Sequence, residues 1–393
     1  MQSPTVGRQR PKDRKDRIAQ VAAELFCEQG YHGVSLEEIA GVVGISAPAV
    51  YRHFDSKYAI LVAAGRGLID ATLTATDLSS SEDAWLDLEA LLAALARLAV
   101  THRRTAGLYQ WQWRYLTDKH DAEFRADLEV LFRRIALPLL NERPELGVAD
   151  AEAITRATLS VFGSLATHRA VIAKGKAEQL LHRAGRAVMQ ASPPTPISGL
   201  ELGVLPVSVP IGARREIILA ESVRLFRLYG YHEVNVELIG HASGINASSV
   251  YRYFPGKADI LAAAFYRASE RVTEATAAAL SGARDDADAL RRMIESYVEL
   301  TFERSDLVTV YLAENNNLPE GDRHELRKVQ RLHVEEWVRL LVAVRPELTA
   351  SEARVLTHAA LNVVTDLSRW VYFDRRTGMN RHLVRLMGVV LNA

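Results

Sequence analysis

Residues 25–64 read LFCEQGYHGVSLEEIAGVVGISAPAVYRHFDSKYAILVAA, and residues 225–264 read LFRLYGYHEVNVELIGHASGINASSVYRYFPGKADILAAA. The two stretches align without a gap at an offset of 200 residues. Gly30, Tyr31, His32, Gly44, Val50, Tyr51, Arg52, Phe54 and Lys57 each meet the same residue in the second copy. The pattern within each copy is helical. Ile18, Val21, Ala22, Leu25 and Phe26 recur at spacings of three and four, which marks one buried helix face. Ser35-Leu36-Glu37-Glu38 has the form of a capping box opening a second helix. Gly44 is the turn residue, and Ser46 is placed to cap a third helix from Ala47 to about His53, with Pro48 in its first turn.

A weaker echo lies further along. Arg143–Leu146 (RPEL) recurs at Arg345–Leu348, followed by Ala151-Glu152-Ala153 and Ser351-Glu352-Ala353 respectively. Amphipathic stretches fall near 82–102, 106–116, 121–141, 150–173 and 177–190, and again near 285–303, 307–314, 322–343, 351–373 and 380–391. No strand-like alternation appears. The expected class is all-α, a tandem duplication in which each unit is a three-helix head on a larger helical bundle. Five prolines in Ser192–Gly212 oppose helix and favour an extended tether. The expected domains are 1–60 (basic arm and first head), 61–191 (first bundle), 192–212 (linker), 213–260 (second head) and 261–393 (second bundle).

Composition narrows the function. The chain has 393 residues, 48 Lys plus Arg against 48 Asp plus Glu, and 48% hydrophobic residues. Zero net charge excludes a uniformly basic coat for nucleic acid but permits a small basic face. No run of eighteen uncharged apolar residues is present, so no membrane span is expected. The charged start carries no secretory-type apolar core, and one cysteine, Cys27, leaves no partner for an internal disulfide. A cytoplasmic address is the expected one. No GxSxG, HExxH, phosphate loop or dinucleotide fingerprint occurs, and the 12 histidines lack metal spacing. Neither a catalytic residue nor a metal ligand nor a cofactor is therefore expected.

A short helix, a glycine turn and a second short helix form a helix-turn-helix, whose second helix enters the DNA major groove. The candidate DNA-binding residues are Ser35, Ser46, Ala47, Pro48, Ala49, Tyr51, His53 and Lys57 in the first head. In the second they are Asn235, Asn246, Ala247, Ser248, Ser249, Tyr251, Tyr253 and Lys257. Small residues let the helix approach base edges, while Tyr, His and Lys are donors for flanking phosphates. The copies agree at core and phosphate positions and differ at Ser46/Asn246, Pro48/Ser248, Ala49/Ser249 and His53/Tyr253. Two unlike half-sites are the expected consequence. The first head is also preceded by Arg8, Arg10, Lys12, Arg14, Lys15 and Arg17, whereas the second has only Arg214 and Arg215. Such an arm reaches phosphates or the minor groove, or is simply solvated.

Tyr31, the helix from Leu36, Gly44-Ile45-Ser46, Val50 to Phe54 and Lys57 together resemble the DNA-binding domain of the TetR family of transcriptional repressors. The likeness covers about fifty residues in each half. It implies a repressor that binds a double-stranded operator and is released by a small molecule held in the helical bundle. It also implies dimers of subunits of about 200 residues, joined through their last two helices. Here two subunits lie in one chain, so the expected arrangement is a covalent pseudo-dimer, with 150–190 packed against 351–392. Further dimerisation of the fused chain stays open. A partly apolar effector would meet aromatic residues with a few polar groups. The candidates are Trp111, Trp113, Arg114 and His168 in the first bundle, and Tyr311, Asn315 and Trp337 in the second. The competing reading of each is an ordinary bundle core. The alternative for the whole chain is a ligand-binding or interaction scaffold with one or both heads inactive.

Overall fold

The computed structural model describes residues 11–79, 81–110, 115–193, 213–303, 305, 308, 310 and 314–393. The described residues are helices, turns and connecting loops, with no strand among them. The chain forms two compact units. The first runs to Thr155 and includes Phe162–Arg169 and Ala173–Met189; the second runs from Gln190 and includes Arg156–Val161 and Ala170–Ile172. Arg8, Arg10 and residues 194–212 of the linker lie outside the described residues.

The first head is built from α1 (Pro11–Gln29), α2 (Leu36–Val43), α3 (Ala47–Val50) and the start of α4 (Lys57–Ala75). α1 opens at Pro11, before the apolar periodicity begins, so Arg14, Lys15 and Arg17 sit on a helix and not on a free arm. Proline is well tolerated at such a start because the first N–H groups of a helix lack intrahelical partners. α3 is shorter than the pattern predicts; residues 51–53 continue it as a turn. Ile18, Phe26, Val34, Ile39, Val50, Phe54, Ile60 and Leu61 form the core of this head. The second head repeats it with α9 (Arg214–Tyr229), α10 (Val236–Ala242), α11 (Ala247–Val250) and α12 (Lys257–Ser281). Its core holds Ile218, Phe226, Val234, Ile239, Val250, Phe254, Ile260 and Leu261, the same positions at the same offset. Each such fully buried side chain contributes about 1.5–3 kcal/mol. Ala22 is replaced by Ser222, whose buried hydroxyl donates to the Ile218 carbonyl at 2.7 Å and so leaves no unmet polar group.

In the first bundle α4 continues into α5 (Ala84–Thr101), α6 (Asp118–Glu142), α7 (Val148–Gly163) and α8 (Lys174–Met189). In the second, α12 is followed by α13 (Asp286–Glu303), α14 (Glu320–Val344), α15 (Ala350–Trp370) and α16 (Met379–Leu391). The RPEL echo has one structural job in both. The Arg143 guanidinium bonds Glu145 at 2.9 Å and the Met189 carbonyl at 2.8 Å. Arg345 bonds Glu347 at 2.8 Å and the carbonyls of Leu391 and Ala393, each at 2.8 Å. A cation thus meets the exposed carbonyls at the end of each unit's last helix, where helix polarity favours positive charge. Thr349 and Glu352 complete a reciprocal capping box on α15.

By length and composition α4 could cross a membrane. It nevertheless contributes Ile60 and Leu61 to the head core and carries Lys57, Arg66 and Asp70.

Candidate nucleic-acid interface

The two heads present their short helices in the same way. Ser35 Oγ accepts the Glu38 N–H at 3.1 Å, and Asn235 Oδ1 accepts the Leu238 N–H at 2.8 Å, so both candidates cap the helix before the turn. The return half of the expected capping box is replaced by a tertiary bond, because the Glu38 carboxylate accepts from the Gln29 amide at 2.5 Å. Gly44 and Gly244 make the turn at φ of 79° and 68°. A side chain at either position would be strained in that left-handed region. The next N–H, of Ile45 or Ile245, closes on the Ala40 or Gly240 carbonyl at 2.9 Å.

Val50 and Phe54, and their counterparts Val250 and Phe254, are buried and anchor the reading segments. What remains outside is a short polar face. In the first head Ser46, Pro48, Tyr51 and Arg52 are exposed, with Ala47, Ala49 and His53 half-buried. In the second, Asn246, Ser248, Tyr251, Arg252 and Tyr253 are exposed, with Ala247 and Ser249 half-buried. Tyr51 and Tyr251 are 56% and 54% exposed, so both phenols are open to a phosphate. Arg52 and Arg252 stand beside them and add charge to the face.

Lys57 and Lys257 are placed differently from a free phosphate ligand. Lys57 Nζ donates to the Val34 carbonyl at 2.8 Å and lies 4.5 Å from the Tyr31 ring centroid. Lys257 Nζ donates to the carbonyls of Tyr231 and Val234, both at 2.7 Å, and lies 4.2 Å from the Tyr231 ring. Burial lowers the pKa of both ammonium groups. Each lysine therefore ties the loop before the helix-turn-helix to the helix after it. Lys257→Met is expected to destabilise the second head by about 2–3 kcal/mol, from two charged hydrogen bonds and one cation–π contact. Thermal unfolding measures that loss. At temperatures where the variant is folded, the salt dependence of DNA binding should be unchanged; a phosphate-bound lysine would reduce its slope by about one.

Lys15 lies 5.1 Å from the Phe54 ring, and Arg215, its counterpart, 4.6 Å from the Phe254 ring. A basic side chain is thus held beside each reading segment. An open groove of about 270 Å³ runs past Lys15, His53, Asp55, Arg66, His120 and Glu123 at the foot of the first head.

Among the described residues, the heads meet their bundles through contacts that pattern reading missed. In the first unit Tyr115 lies 5.0 Å from the Tyr31 ring and 5.1 Å from the His32 ring. In the second, buried Glu314 accepts the Tyr231 N–H at 3.3 Å and the Asn317 amide at 2.7 Å. Glu314 precedes the Asn315–Asn317 turn, so a carboxylate before that triplet was the available sequence signal.

The effector candidates do not assemble into one described pocket. Trp111, Trp113, Arg114 and Tyr311 lie outside the described residues. His168 is buried, and its backbone carbonyl accepts from Arg103 at 3.0 Å. Asn315 is in the turn beside Glu314. Trp337 is 1% exposed, its indole N–H donating to His333 Nε2 at 3.0 Å. Cys27 is half-buried, and burial pushes its thiol up to about 12, far from a reactive thiolate. Among the described residues no group of three or more His, Cys, Asp or Glu could hold a metal ion.

The family model for bacterial regulatory proteins of the tetR family matches residues 18–64 and again 218–264. The chain belongs to the TetR family. The family's unit is present twice, and a tetracyclin repressor-like C-terminal domain model matches residues 283–374. A relative is the HTH-type transcriptional repressor KstR2 of Rhodococcus jostii, 27% identical over 139 residues, which are 35% of this chain and 66% of the relative. The HTH-type transcriptional activator FasR of Mycolicibacterium smegmatis is 38% identical over 58 residues, 14% of this chain and 26% of that protein. The chain thus spans just under two thirds of the first relative and about a quarter of the second. A TetR-family transcriptional regulator from Bordetella parapertussis aligns over 45% of this chain and 95% of its own, at 20% identity and a TM-score of 0.42.

Proposed function

We propose that this chain is a sequence-specific transcriptional repressor that acts in the cytoplasm. In this reading it binds a double-stranded DNA operator as a covalent pseudo-dimer and is released by a small, partly apolar effector. The observation that carries the reading is the pair of heads: one internal geometry, exposed Tyr51 and Tyr251 at matching positions, and different residues where base edges would lie. Equal backbones with unequal reading faces suit an operator of two unlike half-sites.

The pseudo-dimer reading rests on the duplicated unit, which the family model matches at residues 18–64 and 218–264. α7 buries Ala151, Ala153, Ile154, Thr155, Ala157, Thr158 and Ser160, and α15 buries Ala353, Val355, Leu356, Thr357, Ala359 and Ala360. These positions cover more than half of each helix's circumference and leave one half-buried stripe, Glu152, Arg156 and Leu159 on α7 and Arg354, His358 and Leu361 on α15. Release would act through the joints. A ligand that favours one placement of Tyr115 against Tyr31, or of Glu314 against Tyr231, shifts the head only by its differential affinity for the two placements.

Tyr51→Ala combined with Tyr251→Ala tests DNA binding. Loss of two phosphate bonds is expected to weaken operator binding by at least about a hundred-fold, with thermal stability unchanged, since both rings are exposed. Binding that survives the double substitution would favour a scaffold touching DNA by charge alone.

A further inference from the structure

The reading segments differ in hydrogen-bond polarity as well as in sequence. In the second head Asn246 Oδ1 accepts two bonds, from the Ser249 N–H at 2.8 Å and from the Ser248 hydroxyl at 2.9 Å. An amide oxygen has two lone pairs, so this one is saturated. Two donors converging on it also fix the amide orientation, because a flip would set N–H against N–H. Exposed Asn246 therefore presents only its Nδ2 donors outward, and Ser248, its proton engaged, presents only lone pairs.

The first head has no such arrangement. Ser46 makes no side-chain cap bond, so its hydroxyl keeps both donor and acceptor capacity. Ala47, Pro48 and Ala49 carry no polar side-chain atom, and Pro48 is exposed.

Building on the regulatory reading above, we infer that the heads select different base chemistry: the second selects guanine through the Asn246 Nδ2 donor, and the first selects thymine through methyl contact with Pro48 and Ala49. Guanine offers two adjacent major-groove acceptors, N7 and O6, which suit a side chain that only donates. Adenine is disfavoured, since its bidentate recognition needs an amide oxygen free to accept from N6. Ser248 complements this by accepting from a cytosine N4 amino group. An apolar segment finds its best partner in the thymine C5-methyl group.

Base analogues in a selected operator test this one half-site at a time. The single variants Tyr51→Ala and Tyr251→Ala assign each half-site by the protection that each removes. Uracil in place of thymine deletes only the methyl group, and 7-deazaguanine deletes only N7. Uracil in the first head's half-site should weaken binding roughly ten-fold, and 7-deazaguanine in the second head's half-site by a similar factor. Each analogue in the opposite half-site should change binding by less than about two-fold. Asn246→Asp keeps the capping oxygen but has no N–H to donate, and it should abolish the 7-deazaguanine effect while leaving the uracil effect intact. Analogue effects equal in both half-sites, or 7-deazaguanine sensitivity that survives Asn246→Asp, would overturn the assignment and leave the regulatory reading standing. A chain that binds no duplex at all would overturn both.

Discussion

Trp337→Ala is expected to destabilise the second unit by about 3–5 kcal/mol, the usual range for deleting a large buried aromatic side chain. The indole is 1% exposed and meets the Tyr297 ring edge-on at 6.1 Å. Its loss also removes the donor to His333 Nε2. That bond sets the histidine tautomer: Nε2 accepts from Trp337, which leaves the proton on Nδ1 to donate to Thr276 Oγ1 at 3.2 Å. Thr276 in turn donates to the Val272 carbonyl at 2.8 Å. The chain of donors is complete, so removing its first member leaves a buried acceptor unmet. Trp337→Phe keeps most of the ring and should cost clearly less. Denaturant unfolding of both variants measures the difference. A Trp337→Ala protein as stable as the parent would mean that the indole lines an open pocket.

Acid is expected to unfold the second unit before its carboxylates are neutralised. Burial lowers the pKa of His333 to about 4, against a smaller opposing pull from Glu336. Burial, with Arg385 adding to it, lowers that of His382 to about 4. His382 is fully buried on α16, and neither ring nitrogen has a hydrogen-bond partner among the described residues. Both side chains are neutral in the folded protein where the unfolded chain would already be protonated. The unfolded state therefore binds more protons between about pH 6.5 and pH 4, and stability falls as pH falls through that window. A shift of this size corresponds to about 3 kcal/mol for each histidine. Above about pH 6.5 the contribution is constant. His382→Leu should remove about half of the loss between pH 7 and pH 4.5 and should raise stability at pH 4.5. Equal pH dependence in variant and parent would contradict the account.

The heads were legible because their determinants are local and occur twice. Gly44-Ile45-Ser46 and Gly244-Ile245-Asn246 specify a turn by themselves, and eight apolar core positions from Ile18 to Leu61 recur unchanged from Ile218 to Leu261. RPEL was visible as a repeat, although its contact with the last helix joins residues 46 apart. Contacts made across the fold were not visible. Lys57 reads as a phosphate donor until the carbonyl that it meets, 23 residues earlier, is placed beside it. Glu38 reads as half of a capping box until Gln29 competes for it. Trp337 shows why composition cannot separate pocket from core: the same ring at the same helical spacing serves either, and only the burial of its neighbours decides. The early start of α1 was hidden because residues 12–17 are charged and show no apolar period.

The most direct test of the central claim is selection of duplexes from a random DNA library by the purified chain at physiological salt, with the mass of the selected complex measured in solution. The account predicts one chain on one duplex, carrying two unlike half-sites about one helical turn apart. A perfect palindrome bound by a single chain, or unlike half-sites that require two chains, would contradict it.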